Sequence, residues 1–395
     1  MHIYEKLGVR RLINGRSFST KAGGCALPRE VLDAMREAGE WCVRTDELQA
    51  AASIVIARAT GAEAGIVTSG AAAALTLGAA ACLARLDVNH MNQLPDTTGM
   101  ANEFIIHRGH RNDYDHAVRA AGAKFVEVGF SYYTFAYEVE AAINERTAGM
   151  YYEAGANHGV LPLNEYAAIA HRHGLPVLVD AAPEMPPASN LQSFIAAGAD
   201  LVAFSGGKHI QGPQATGILC GRRHLILSAA LQHQDMDVFP ETWPLRSLIE
   251  NGTVIGPPHH GIGRGFKVGK EEIAGLITAL ELYQSRDFQA ERARWTSDMD
   301  CVVAGVRDLP GVSARVQYPQ ANGREVPSAV VKIDSAVAAI SAHGVINALQ
   351  EGEPPICVFE KFAGSGEIVV FPEALRPGEA GTIARRLRAV LEGAQ

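Results

Sequence analysis

Leu175-Pro176-Val177-Leu178-Val179-Asp180 and, one helix's length of chain later, Leu201-Val202-Ala203-Phe204-Ser205-Gly206-Gly207-Lys208-His209 decide how this sequence folds. Each is a short apolar run that ends abruptly on a polar residue. A run without polar alternation is a strand buried on both faces. Two such runs, separated by enough chain for a helix, make neighbouring strands of a parallel sheet. Ligands of these sheets bind beyond the carboxyl ends of the strands. The residues that close each run, Asp180, Ser205 and Lys208, are therefore where chemistry is sought.

The pattern extends outward from this pair. Further strands are expected at 66–68, 104–106, 125–128 and 149–152, with helices at 71–83, 116–121, 139–143 and 163–173 between them. An earlier helix opens at Pro28, a residue suited to a first turn, with Val31, Leu32 and Met35 at helical spacing. Past 270 the character changes. A long helix at 271–283 leads to strands at 329–333 and 367–371 and helices at 336–349 and 381–391. The expected organisation is an N-terminal arm (1–25), a large α/β domain (26–270), and a linker helix with a small C-terminal α+β domain (271–395).

The 395 residues are 47% hydrophobic and 20% charged, ample for a large core without a disulfide or metal staple. A formal net charge of -8 and the lack of any run of five or six Lys and Arg argue against nucleic acid as a partner. Cys25, Cys42, Cys82, Cys220, Cys301 and Cys357 form no C-x-x-C pair and suit buried thiols in a reducing compartment. The N-terminal residues lack an apolar signal core, and the longest apolar stretch, 71–84, is too short to span a bilayer. A cytoplasmic protein with no membrane partner is expected.

Three motifs carry the chemistry. In Thr68-Ser69-Gly70-Ala71-Ala72-Ala73-Ala74 a strand ends in a small-residue turn that opens a helix. Backbone N–H groups at that helix start favour an anion, and Ser69 and Gly70 allow close approach. The same residues also suit a tight turn with no ligand. Asp180 places a carboxylate at a buried strand end, where it needs a partner. A cap, a core ion pair or a cationic ring nitrogen would each serve. Lys208 follows what reads as a flexible glycine pair at the sheet edge, either as a surface lysine or as an amine free to form an imine. Ser205 stands three residues before it. Asp180 and Lys208 are 28 residues apart, room for one helix and one strand. The three features agree in geometry, and together they point to one site.

With these motifs the chain resembles the fold-type I pyridoxal-phosphate (PLP) enzymes, in the branch of selenocysteine synthases and D-glucosaminate-6-phosphate ammonia-lyase. The likeness is carried by Tyr4-Glu5-Lys6-Leu7-Gly8-Val9 with Ile13-Asn14, by Val67-Thr68-Ser69-Gly70-Ala71 and by Leu94-Pro95-Asp96-Thr97-Thr98-Gly99-Met100. It continues through Arg108-Gly109-His110-Arg111, Ser205-Gly206-Gly207-Lys208 and Gly263-Arg264-Gly265-Phe266-Lys267-Val268-Gly269-Lys270-Glu271-Glu272. It covers 4–284 well and the small domain loosely. The resemblance implies a mostly parallel seven-stranded sheet domain with a small C-terminal domain, and PLP held on Lys208 as a Schiff base. It implies Asp180 as the ring-nitrogen partner and Ser69, Gly70, Ala71 and Ser205 around the phosphate. His110 would stack on the ring. It also implies a site built at a homodimer interface.

The segment Gly15-Arg16-Ser17-Phe18-Ser19-Thr20 departs from the small residues of the relatives, which puts the sugar-acid substrate in question. The selenocysteine synthases also carry extra N-terminal sequence for tRNA, for which this chain is not expected to have room, and its charge disfavours tRNA. His107, His110, Asp113, Asp115 and His116 crowd one stretch, but a polar strand-end loop explains them without a metal. Gly261-Ile262-Gly263-Arg264-Gly265 is no dinucleotide fingerprint, since its third glycine would fall at Phe266 and no strand precedes it. Arg264 and Lys267 are either a solvated basic turn or an anion site for a substrate carboxylate or a neighbouring subunit's phosphate.

The expected activity is a PLP-dependent lyase that removes ammonia from a small hydroxylated, optionally phosphorylated amino acid. Lys208 would be the Cα base, with Lys208 or His209 assisting loss of the β-hydroxyl. A racemase or aminotransferase, a tRNA-dependent selenium transferase and a non-catalytic PLP-fold protein are the alternatives.

Overall fold

The apolar runs become strands of one seven-stranded sheet. In chain order the strands of this computed structural model are β1 (Ile13–Gly15), β2 (Ala64–Thr68), β3 (Glu103–His107), β4 (Lys124–Val128), β5 (Thr147–Glu153), β6 (Val177–Asp180), β7 (Leu201–Ser205) and β8 (Gly217–Gly221). They continue with β9 (Val312–Gln317), β10 (Ser328–Ile333), β11 (Ile356–Val358) and β12 (Glu367–Val370). The structure describes residues 2–155, 159–320 and 323–393. Contacts group the chain into two units, 27–284 and 1–26 with 285–395. The sequence places the helix Lys270–Gln284 in the C-terminal part. The structure groups it with the larger unit, where the Met35 side chain of the helix Arg29–Gly39 fills the space beside Gly275.

In the larger unit the strand order is β2-β8-β7-β6-β5-β3-β4. All neighbours are parallel except β8, which runs antiparallel to both β2 and β7. β8 is absent from the sequence expectation because glycines bracket its three apolar residues and read as turns. The glycine at its start is dictated by packing: a Cβ on Gly217 would lie 2.4 Å from the Gly70 carbonyl carbon. The helix Ala71–Ala84 covers one face, with Leu75 and Leu77 in a core that includes Ile66, Phe104, Ile106, Tyr151, Leu178, Ala203 and Leu219. Gly78 lets it sit close, since a Cβ there would be 2.8 Å from Leu178 Cδ1. The edge strand β2 is closed by side chains from the helix Thr45–Thr60. Gln49 both donates to Val67 O (2.8 Å) and accepts from Val67 N (3.0 Å), and Ser53 Oγ accepts from Gly65 N (3.0 Å). These bonds satisfy edge groups that would otherwise be open to another strand.

The smaller unit has an antiparallel sheet in the order β12-β10-β9 and a two-stranded parallel pair, β1 with β11. Ile13 partners Ile356, a pairing between the two ends of the chain that no local periodicity reveals. The helices Phe288–Val306, Ala342–Glu351 and Glu379–Gly393 bury Met299, Val302, Val345, Leu349, Ile383 and Leu387 against these strands. The helix expected at 336–349 is divided at Ala339, which has a φ of 55°. Asn14 Nδ2 donates to Ser17 O (2.7 Å) and Gly24 O (2.6 Å), and holds Ser17 at a φ of 62°. Ser17 Oγ then donates to Glu373 Oε1 (2.8 Å), a carboxylate that also pairs with Arg324 (3.0 Å). Arg16 pairs with Glu360.

Candidate active site

The carboxyl ends of β2, β7, β6 and β3 in the larger unit carry the expected residues. At β2, Thr68 Oγ1 donates to Gly70 O (2.9 Å) and Gly70 adopts a φ of 120°, which only glycine takes readily. The helix begins immediately, and its first internal bond runs from Ala74 N to Gly70 O (3.0 Å). No side chain caps it, so the N–H groups of Ala71, Ala72 and Ala73 have no intrahelical acceptor and suit an anion. Register aligns Thr68 with Gly217 and Gly217 with Ser205, and this brings Ser205 into line with the helix start.

At β6, Asp180 is 6% exposed. Its Oδ1 accepts from Ala182 N (3.0 Å) and its Oδ2 from Tyr151 Oη (3.3 Å). Burial pushes its carboxyl up from the usual range, offset in part by these two donors and by the charge of Lys208. The Tyr151 phenol, itself raised by burial and by Asp180, remains a donor.

Lys208 lies in the turn after β7. The turn is fixed by backbone bonds from Gly206 N to Thr216 O (2.9 Å), Gly212 N to Gly206 O (2.9 Å) and Gln211 N to Lys208 O (2.8 Å). The glycines before it are not there for flexibility. Neither has a positive φ, and a Cβ would fall 2.3 Å from Thr216 Oγ1 at Gly206 and 2.7 Å from Gln214 Cα at Gly207. Close packing demands them and makes the turn stiff. His209, next in the turn, is 2% exposed.

His110 follows β3 in the turn Arg108–His110 and is buried. Its Nδ1 accepts from Glu153 N (3.2 Å), which leaves the proton of the neutral ring on Nε2. Its ring meets His107 edge-on at 4.7 Å and Tyr152 at 4.6 Å. His107 is fully buried with no hydrogen-bond partner at either ring nitrogen, and burial pushes it down to about 3. It stands as a neutral aromatic wall behind His110, and Asp115 of the crowded 107–116 stretch pairs with Arg111.

Arg264 and Lys267 stand in and just after the turn Ile262–Phe266. They line a cavity of about 320 Å³ with Thr45, Asp46, His233 and Trp243, and the lining does not include Ser69, Asp180 or Lys208. Arg264 is paired there with Asp235 (3.1 Å). Sequence reasoning missed Tyr151, Glu153 and Glu184. Glu153 closes β5 as Asp180 closes β6, and the same strand-end reading, carried one residue past Tyr152, finds it.

A phosphorylated, cationic-ring aldehyde fits these residues. The uncapped helix start would suit its phosphate, the buried Asp180 would gain a positive partner, and Lys208 is close enough for its charge to act on Asp180. Fold and site together define a PLP-dependent enzyme of fold type I. The family profile of L-seryl-tRNA selenium transferase matches residues 39–237, and the chain belongs to that family, in the branch that includes D-glucosaminate-6-phosphate ammonia-lyase. It is 30% identical to the D-glucosaminate-6-phosphate ammonia lyase of Salmonella typhimurium over 400 residues, covering 100% of this chain and 99% of the relative. A solved structure of D-glucosaminate-6-phosphate ammonia-lyase superposes with a TM-score of 0.82 at 29% identity, covering 100% of this chain and 99% of that one. The chain is also 32% identical to a 5'-C-glycyluridine monooxygenase-decarboxylase of a Streptomyces species, covering 98% and 92%. PLP is the cofactor.

Gly217→Ala tests the phosphate end. The added carbon would meet Gly70 C (2.4 Å), Gly70 O (2.6 Å) and Ala71 N (2.7 Å), all backbone. The helix start must move, at about 1–3 kcal/mol of overpacking. A lowered melting temperature together with weaker PLP retention in a titration is expected; unchanged retention would show that the phosphate sits elsewhere.

Proposed function

We propose that the chain is an ammonia-releasing lyase acting on a small hydroxylated amino acid, with or without a phosphate group. The observation that carries this reading is the end-to-end similarity to D-glucosaminate-6-phosphate ammonia-lyase. The bound cofactor supplies an electron sink for the pair left at Cα. Lys208 takes the Cα proton at Nζ. Asp180 holds the ring nitrogen in its cationic form, and Tyr151 and Ala182 keep that carboxylate in place. Ser69, Gly70, Ala71 and Ser205 hold the phosphate, and His110 packs on the ring. The β-hydroxyl leaves as water with a proton from Lys208 or His209. The unsaturated amine then takes up water and yields a 2-oxo acid and ammonia. Arg264 and Lys267 are proposed to bind an anion, either a substrate group or the cofactor phosphate of a second copy in a homodimer or larger homo-oligomer. No helix among the described residues is long and apolar enough to cross a membrane, and a cytoplasmic location is proposed.

The test is release of ammonia and a 2-oxo acid from candidate hydroxy amino acids with no added oxo acid. Need for an oxo acid would identify an aminotransferase, and solvent deuterium at Cα in recovered substrate a racemase. The Streptomyces relative supports a second reading, oxidative decarboxylation of a glycyl compound. Oxygen consumption with carbon dioxide release and no ammonia would favour it. The selenium transferase of Desulfovibrio desulfuricans matches only 44% of this chain at 31% identity, and a tRNA gel shift would revive that activity.

A further inference from the structure

The strand register puts a second carboxyl group beside Asp180. Partnered residues of a parallel pair point to the same face, and side chains along a strand alternate. Glu153 is the partner of Asp180, and Asp180 is the partner of Ala203, two residues before Ser205. Tyr151 and Leu178, two residues before Glu153 and Asp180, lie in the core beneath the helix Ala71–Ala84. Glu153, Asp180 and Ser205 therefore stand in one row, on the face where that helix begins.

Glu153 is a built-in group, not a surface acid. It is half-buried, its Oε1 accepts from Gly155 N (3.0 Å), and its own N–H donates to His110 Nδ1 (3.2 Å). Among the described residues, the titratable groups around it include Asp180 on β6, Glu184 in the loop after β6, Tyr151 on its own strand and His110 after β3. Burial and the charges of Asp180 and Glu184 push its carboxyl up to about 7, offset in part by the Gly155 N–H.

Strand order gives the direction. With the phosphate at β2 and β7 and the ring nitrogen at β6, the next strand, β5, meets the ring edge remote from the phosphate. Going round a pyridoxal ring past the nitrogen, that edge carries the methyl and then the hydroxyl. We propose that Glu153 is an acid–base group of the cofactor face that, when protonated, donates a hydrogen bond to the ring hydroxyl oxygen. An ionised Glu153 would repel that oxygen in its anionic form, and a neutral carboxyl stabilises it. Asp180 and Glu153 thus divide the work: one carboxyl faces a cation as an anion, and the other faces an oxygen as a donor.

The proposal rests on the cofactor assignment, and the experiment separates the two. PLP is titrated into the cofactor-free wild-type, Glu153→Gln and Glu153→Ala proteins, and the visible band is followed with pH. Glu153→Ala should bind PLP about tenfold more weakly, the loss of one hydrogen bond to a charged acceptor, with a displaced band. Glu153→Gln keeps a neutral donor, so it should hold PLP at pH 6 as the wild type does and lose the band change centred near neutrality. Identical titrations of wild type and Glu153→Gln, or wild-type retention by Glu153→Ala, would overturn the proposal. A second readout needs no cofactor. Difference infrared spectra of wild type against Glu153→Gln at pH 6 should show a protonated carboxyl stretch, and its absence would also overturn it. If the wild-type protein forms no visible band, the cofactor assignment fails and takes this inference with it.

Discussion

Lys208→Ala is expected to abolish the yellow, borohydride-reducible absorption band of the PLP-loaded protein and to lower kcat by at least 10³-fold. In the proposed reaction two functions meet at one nitrogen: Nζ would hold the cofactor as an imine and accept the Cα proton. Loss of a positioned general base alone is worth roughly 10²–10⁴-fold, and loss of the covalent link adds to it. The fold should survive. Backbone bonds to Thr216, Gly206 and Lys208 O define the turn, and the packed glycines stiffen it, none of which involves the lysine side chain. A melting temperature near that of the wild type is therefore expected, so that the lost rate reports chemistry. Lys208→Arg separates charge from nucleophilicity. It keeps the positive charge near Asp180 but, with a pKa above ~12, neither forms the imine nor accepts a proton. It should be as inactive as the alanine variant. A borohydride-reducible band in Lys208→Ala, or substantial activity in Lys208→Arg, would remove Lys208 from the chemistry.

The parts of the site that are legible in the sequence are those that close an apolar run. Asp180, Ser205, Lys208 and the Ser69–Gly70–Ala71 turn all follow directly from where hydrophobicity stops, because burial on both faces forces a parallel strand to be apolar until its end. Glu153 obeys the same rule and is hidden only by Tyr151 and Tyr152, whose hydroxyls make the end of β5 look reached a residue early. The physical reason for Gly206 and Gly207 is not legible. A glycine pair reads as a hinge, whereas here it answers to neighbours at Gln214 and Thr216 that only the folded turn supplies. β8 is lost to the same ambiguity, with Gly217 and Gly221 at its ends. The grouping of residues 1–26 with 285–395 depends on the pairing of Ile13 with Ile356, a contact so distant in sequence that periodicity carries no trace of it.

Asp180→Asn should move stability and activity in opposite directions. Burial raises the Asp180 carboxyl in the cofactor-free fold, despite the donors Ala182 N and Tyr151 Oη and the charge of Lys208. The folded state therefore holds its proton to higher pH than the unfolded chain does. The associated stability is present below the ordinary aspartate value of ~4 and is lost as pH rises through the folded value. Asparagine never ionises. It can accept from Ala182 N and donate to the Tyr151 oxygen, so the cofactor-free variant should melt no lower than the wild type at pH 5 and higher at pH 8. The loaded enzyme should behave in the reverse sense. If Asp180 is the ring-nitrogen partner, its replacement by asparagine would leave that nitrogen without an anion to hold it cationic and so weaken the electron sink the cofactor would supply. A loss of about 10²–10³-fold in kcat is expected, comparable to removal of one preorganised electrostatic contact. Kinetics and paired melting curves with and without PLP decide the matter. If the variant is destabilised at every pH, Asp180 is a structural cap on Ala182. If it keeps wild-type turnover, the ring nitrogen has another partner. Only the crossed outcome, a sturdier empty protein and a poorer enzyme, fits a carboxylate held out of water so that a cation can complete it.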